Sequence, residues 1–173
     1  MWCGMTASFI IGPFLFEEVG LAGPVTCTVN GQRYACLLRN QVSPTLQQHA
    51  CVDRIIFMQD GAPPHIAKPV KQLLKTHFGD DRIISRHFPR GWPPRSPDLN
   101  PCDFWLWGDL KNHVFSGPVA NLAELKARIT QHVHNVTPET LRSVVEHAVY
   151  RLKLVEENGG QHIEHVLRKS RDN

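Results

Sequence analysis

The sequence predicts a mixed α/β fold in a single domain, and three observations carry that prediction. Two short apolar runs of strand length, Ile10–Phe16 and the Ile55–Met58 centre of Arg54–Gln59, lack polar alternation and read as strands covered on both faces. Segments with apolar residues at helical spacing lie between and behind them. Strands placed early, with helices interleaved and following, give a sheet layered with helices rather than an all-α or all-β domain.

The elements follow in order. Met1–Thr6 and Ile10–Phe16 read as two short strands joined by a turn. Val19–Asn30 carries glycines and a proline and is expected to be loop. Ala35, Leu37, Leu38, Val42 and Leu46 fall near one face of a helix over Tyr34–His49, which Pro44 should kink or break. The strand Arg54–Gln59 runs into Asp60-Gly61-Ala62-Pro63-Pro64-His65. A helix then spans about Ala67–His77 with Val70, Leu73 and Leu74 inward, and Ile83-Ile84 suits a short strand. Phe88–Pro101 holds five prolines and a glycine and is expected to be extended loop. Asn100-Pro101 reads as an N-cap followed by proline in the first turn of a helix reaching about His113. Two helices close the chain. The first carries Leu122, Leu125, Ile129 and Val133. The second opens at Thr137-Pro138-Glu139, carries Leu141, Val144, Val145, Ala148, Val149, Leu152 and Val155 as its stripe, and stops at Asn158-Gly159-Gly160.

Composition narrows the function classes. A chain of 173 residues suits one domain, and 42% hydrophobic with 20% charged residues argues against bulk disorder. Nineteen Lys and Arg against 16 Asp and Glu leave a formal charge of +3, which allows a nucleic-acid partner without requiring one. Cys3, Cys27, Cys36, Cys51 and Cys102 are an odd, scattered set with no C-x-x-C pair. That spacing argues against a disulfide framework or a structural zinc site and predicts reduced, buried thiols in a reducing compartment. The most apolar early run, Phe9–Phe16, is eight residues interrupted by Gly12-Pro13, too short for a bilayer span or a secretory signal. The expectation is a soluble protein without a signal peptide, a transmembrane segment or a membrane partner.

Asp60 is the first residue with a case for chemistry. It sits at the end of an apolar strand, where α/β sheets place working residues, and Gly61 allows the chain to turn sharply behind it. A carboxylate held there suits a hard divalent cation, although an Asp-Gly pair is also a common turn former. Asp103 falls in the first turn of the helix opened by Asn100, where free amides and the helix dipole favour an acid with or without a metal. Asp98, among prolines, is expected to order the loop. Arg82, Arg86, Arg90 and Arg95, interleaved with Phe88 and Trp92 and with no acid between Arg82 and Pro97, could follow a nucleic-acid backbone, the arginines on phosphates and the aromatics on bases. A solvated basic loop fits the same pattern. Trp105 and Trp107 are expected to pack in the core, and His65 could approach a metal or phosphate. Arg168, Lys169 and Arg171 are too few for a nuclear-import signal.

Gln59-Asp-Gly-Ala-Pro-Pro-His65, followed by Trp92-Pro-Pro-Arg-Ser-Pro-Asp-Leu-Asn-Pro-Cys-Asp-Phe-Trp-Leu-Trp-Gly-Asp-Leu-Lys111, resembles the catalytic core of mariner-superfamily transposases. Trp2-Cys-Gly4, Ile11-Gly-Pro-Phe-Leu-Phe16, Val29-Asn-Gly-Gln-Arg-Tyr34, Tyr150-Arg-Leu152 and Asn158-Gly-Gly-Gln-His-Ile-Glu-His165 match as well, so the resemblance runs from the first residue to about His165.

The resemblance implies a ribonuclease H-like mixed sheet with flanking helices, lacking the first strand, plus C-terminal helices. Residues 1–115 would form the partial DDE/D core and residues 116–173 a helical extension of the same domain. It also implies a triad of acids holding two Mg2+ (or Mn2+) ions for DNA strand cleavage and transfer, with Asp60 as the second acid and Asp103 as the third. Transposon-end DNA, a homodimer and the nucleus are the implied partners and location. Two departures matter. In the family the first acid lies on a strand immediately before the one that opens here at Met1, and Glu17, Glu18 and Asp53 occupy other places. The helix-turn-helix modules that recognise transposon ends are not among these residues. The expectation is a transposase-derived domain inactive as an isolated chain. The alternatives are a co-opted nucleic-acid-binding or protein-interaction fragment without nuclease activity, and an enzyme whose first acid is encoded upstream. Without the first strand, the opening hairpin should either pair with the Asp60 strand or leave sheet edges bare.

Overall fold

The computed structural model describes residues 1–21, 23–163 and 167. Arg168, Lys169 and Arg171, and Glu164 and His165 of the tail motif, lie outside the described residues. The chain divides into two compact units, one of residues 14–95 with Met1, the other of residues 2–13 with the chain from Ser96 onward.

In the first unit, β3 (Glu17–Gly20) and β4 (Gly23–Thr26) pair antiparallel, with Glu17 opposite Thr26 and Gly20 opposite Gly23. This hairpin corrects the loop expected over residues 19–30. Its side chains are mostly exposed, Val19 almost completely, so it has no buried face to generate an apolar pattern. Gly23 has φ 115°, a conformation that favours glycine, so the residue read as a loop marker closes a hairpin.

Asn30 caps α1 (Gly31–Leu37), its Oδ1 accepting from the Arg33 amide at 2.9 Å. The helical path continues through a wide turn at Leu38–Val42, where the Ser43 amide reaches back five residues to the Leu38 carbonyl, into α2 (Ser43–Gln48). The expected helix over Tyr34–His49 therefore starts three residues earlier, and its irregularity precedes Pro44. Proline has no amide to donate and its ring crowds the preceding turn, so it is accommodated in the first turn of α2.

β5 (Phe57–Met58) and β6 (Ile83–Ile84) pair parallel, joined by α3 (Lys68–Phe78). The predicted strand Arg54–Gln59 is shorter than expected because Val52–Arg54 form a tight helical turn. The Gln59 amide still extends the ladder by one bond to the Ile84 carbonyl at 3.0 Å. Val70, Leu74 and Phe78 form the buried stripe of α3, Leu73 is only partly buried, and the Phe57 and Phe78 rings lie 5.1 Å apart.

In the second unit, β1 (Trp2–Met5) pairs with β2 (Ile10–Phe14) across a turn in which the Thr6 amide bonds the Phe9 carbonyl at 2.9 Å. A wide turn at Cys102–Leu106 leads into α4 (Trp107–Val114), followed by α5 (Leu122–Asn135) and α6 (Pro138–Glu157). Cys3, Leu106, Leu110, Val114 and Val133 form the core cluster, with Trp105, Trp107, Leu125 and Ile129 packed against it. Both tryptophans thus pack as the sequence predicts. Leu122, placed on the inward face of α5 by its spacing, is exposed instead.

The stripe on α6 also needs correction. Leu141, Val144 and Ala148 are buried, but Val149 is exposed and the fourth buried residue is Arg151. Arg151 is satisfied there: Nη1 donates to the Asp98 carbonyl at 2.7 Å, Nε to His147 Nδ1 at 3.0 Å, and the guanidinium lies 4.1 Å from the Phe104 ring centre. The contact uses the Asp98 main-chain carbonyl and not its carboxylate. Gly159 and Gly160, both with positive φ, end the helix.

The described strands form three separate two-stranded ladders, so the opening hairpin does not pair with the Asp60 strand. All five cysteines are free thiols. Only Cys3 is fully buried and Cys36 is exposed, which corrects the expectation of uniformly buried thiols. Burial pushes the Cys3 and Cys102 thiols up to about 12. Among the described residues, no helix is long and apolar enough to cross a membrane.

Candidate metal and nucleic-acid site

The Asp60 loop is built on a buried amide. Gln59, 5% exposed, ends the β5 ladder and uses its whole side chain locally. Its Nε2 donates to the His65 carbonyl at 2.9 Å and to Ser85 Oγ at 3.1 Å, and its Oε1 accepts from the Tyr34 hydroxyl at 2.9 Å. These bonds hold both ends of the segment 60–65 at fixed separation.

Asp60 is half-buried within that segment. Its Oδ1 accepts from the Ala62 amide at 3.0 Å and pairs with Nδ1 of His65, whose ring lies 4.5 Å from that of Tyr34. The His65 hydrogen bond holds the Asp60 carboxyl below its usual range. Partial burial opposes that shift and the Ala62 amide adds to it. Both recorded bonds fall on Oδ1, so Oδ2 keeps its acceptor capacity. An ionised oxygen donor, oriented by a histidine and partly open to solvent, fits a hard divalent cation.

Asp103 lies in the second unit, exposed, in the first turn of the helical run that becomes α4. Asn100 caps this turn, as the sequence predicts, by accepting from the Cys102 amide at 3.1 Å. Its Nδ2 also donates to Asp103 Oδ2 at 2.8 Å, while Trp107 Nε1 donates to Asp103 Oδ1 at 3.1 Å. The carboxylate is thereby oriented from both sides.

The basic segment divides by role. Arg82 Nη1 donates to the carbonyls of Val52 and Ile55, fastening the turn before β5. Trp92 is buried, and so is Phe88, so both rings pack against protein rather than standing open for a base. Arg86, Arg90 and Arg95 are exposed. Arg86 and Arg90 flank a tight turn in which the Ser85 amide bonds the Arg90 carbonyl at 3.1 Å and the Phe88 amide bonds the Ser85 carbonyl at 3.2 Å. A Cβ added to Gly61 would lie 3.0 Å from Arg86 Cδ, so the aliphatic stem of Arg86 runs beside the Asp60 loop.

Two features escape the sequence. The His65–Asp60 pair is formed across Pro63-Pro64 by residues five apart, outside the spacings of a regular element. A second cluster, Asp109, His113 and His132, joins α4 to α5. Its helical half was visible as an Asp and a His four residues apart, but its third member is 19 residues further on.

No family model matches the chain. It is 31% identical to the Tcb2 transposase of Caenorhabditis briggsae over 106 residues, which cover 61% of this chain and 34% of that protein. It is 28% identical to the Tc3 transposase of Caenorhabditis elegans over 130 residues, 74% of this chain and 36% of that protein. The chain thus spans about a third of the length of these curated relatives. Among solved structures it is similar to the catalytic domain of the Mos1 mariner transposase, with a TM-score of 0.73 and 20% identity over 94% of this chain and 74% of that one. A structure of the same domain with raltegravir and Mg gives 0.72 and 22%, covering 94% and 75%. The Mos1 paired-end complex with the left transposon end gives 0.69 and 22%, covering 94% and 44%. The resemblance to a mariner-type transposase catalytic domain holds in sequence and in fold, and the α/β architecture is the ribonuclease H-like one of that domain.

Proposed function

We propose that the chain carries part of the catalytic domain of a metal-dependent DNA transposase, with Asp60 and Asp103 as two of its metal-holding carboxylates. The observation that carries this reading is Asp60 itself: an ionised, histidine-oriented carboxylate at the end of the β5–β6 ladder, in a fold shared with the Mos1 catalytic domain. The Mos1 catalytic domain has been solved with Mg and with Mn, and the Mos1 transposase in a paired-end complex with a transposon end, which supports Mg2+ or Mn2+ as the ion and DNA as the partner. In this reading residues 1–115 carry the partial core, residues 116–173 extend it with helices, and the protein acts as a homodimer in the nucleus.

Each residue has a separable task. Asp60 and Asp103 each present oxygens to a divalent cation, and His65, Asn100 and Trp107 keep those oxygens aimed. A bound divalent ion supplies activation of the attacking oxygen and stabilisation of the leaving one. Arg86, Arg90 and Arg95 meet backbone phosphates, whereas Arg82 and Trp92 serve the fold. Residues 1–173 offer two of the three carboxylates the chemistry uses, so this polypeptide alone binds metal weakly and does not cleave. The exposed arginines favour retained DNA binding as the second reading.

The test is DNA binding by the 173-residue polypeptide at several salt concentrations, together with a cleavage assay in Mg2+ and Mn2+. The expected result is salt-dependent binding without cleavage, with the log–log salt slope falling by about 1 for Arg86→Ala or Arg90→Ala. Binding that ignores both salt and these arginines would overturn the DNA-contact assignment. Metal-dependent cleavage lost in Asp60→Ala and in Asp103→Ala would overturn the inactivity of this polypeptide while supporting both metal ligands.

A further inference from the structure

We propose that Asp109, His113 and His132 form a second metal site, separate from the Asp60 and Asp103 carboxylates, that takes a zinc-like transition-metal ion and cross-links α4 to α5. Asp109 and His113 are four residues apart on α4 and so share one face of that helix. His132 comes from α5. One donor atom from each residue lies within 4.8 Å of the other two. His132 Nε2 is 2.6 Å from Asp109 Oδ2, and His113 Nδ1 is 3.6 Å from Asp109 Oδ1. The two imidazoles are stacked, with centroids 4.0 Å apart and 21° between their planes, so both rings converge on one carboxylate.

This donor set selects its ion by chemistry. Two imidazoles and one carboxylate suit Zn2+ and its late first-row neighbours, whereas Mg2+ prefers an all-oxygen shell. Metal–ligand bonds of about 2.0–2.1 Å in a tetrahedral site put ligand atoms roughly 3.3 Å apart. The 2.6 Å and 3.6 Å separations to Asp109 bracket that value, so small side-chain rotations complete the geometry. His132 and Asp109 are largely covered and fix two ligands, while His113, 57% exposed, is free to swing away from the Asp109 carbonyl that its Nδ1 meets at 2.9 Å. Three protein ligands leave one position for water or an exogenous donor. Both helices pack within the second unit, so the ion ties together the segment that follows Asp103.

The probe is Co2+, followed by displacement with Zn2+, on the untagged 173-residue chain. The expected result is one equivalent of Co2+ with visible ligand-field absorption, no thiolate-to-cobalt charge-transfer band, and full displacement by Zn2+. His113→Ala should weaken binding about tenfold or more, as should Asp109→Asn. The exposed position of His113 makes its variant safe for folding, which far-UV circular dichroism checks. Asp60→Asn with Asp103→Asn should leave this affinity unchanged, so loss of the transposase reading would not remove the site. Equal affinity in His113→Ala and wild type, a thiolate band, or loss of binding in the Asp60→Asn/Asp103→Asn pair would each overturn the proposal.

Discussion

At Asp60 the His65 hydrogen bond is the largest influence on the carboxyl. The His65 hydrogen bond lowers the carboxyl below its ordinary value, and partial burial works against that shift. A carboxyl depressed in the folded state stabilises the fold above the unfolded value near about 3.9 and loses that contribution as pH falls through the folded value. His65→Ala should therefore raise the Asp60 carboxyl toward the ordinary range and cost stability at neutral pH, while leaving stability in strong acid unchanged. A carbon-detected NMR titration of the Asp60 carboxyl reads this directly, and an identical midpoint in both proteins would refute the pairing. Asp60 was legible in the sequence because an apolar strand points at it. His65 was not, because its contact depends on how Pro63-Pro64 bends the chain and on the buried Gln59 anchor, neither of which has a periodic signature.

Among the elements, the junction of α1 with α3 is the tightest feature. A Cβ on Gly31 would lie 2.3 Å from the Ala67 Cβ, closer than atoms can approach, so Gly31→Ala forces the start of α1 away from the segment leading into α3. The better helix propensity of alanine recovers at most about 1 kcal/mol, and overpacking costs about 1–3 kcal/mol. The variant should therefore be destabilised in urea unfolding, and an unchanged or raised midpoint would contradict the packing. α3, α5 and α6 were legible because their apolar residues recur at helical spacing, with Thr137 opening α6. The β3–β4 hairpin was not, since its side chains face solvent. Arg151 hid the end of the α6 stripe because a charged residue is buried only where specific partners exist, and those partners, Asp98 and Phe104, lie about fifty residues earlier in the sequence.

At the scale of the whole molecule, the fold class was readable from two motifs and the order of strands and helices, and the similarity to the Mos1 catalytic domain agrees with it. The division into two units was not readable, because contacts between distant segments leave no local trace in a short apolar run. We propose that Asp60 and Asp103 are each divalent-metal ligands. The direct measurement is a Mn2+ titration followed by electron paramagnetic resonance, in a His113→Ala background that removes the second cluster. The expected result is that Asp60→Asn and Asp103→Asn each weaken Mn2+ binding. Mn2+ affinity unchanged by both substitutions would contradict it.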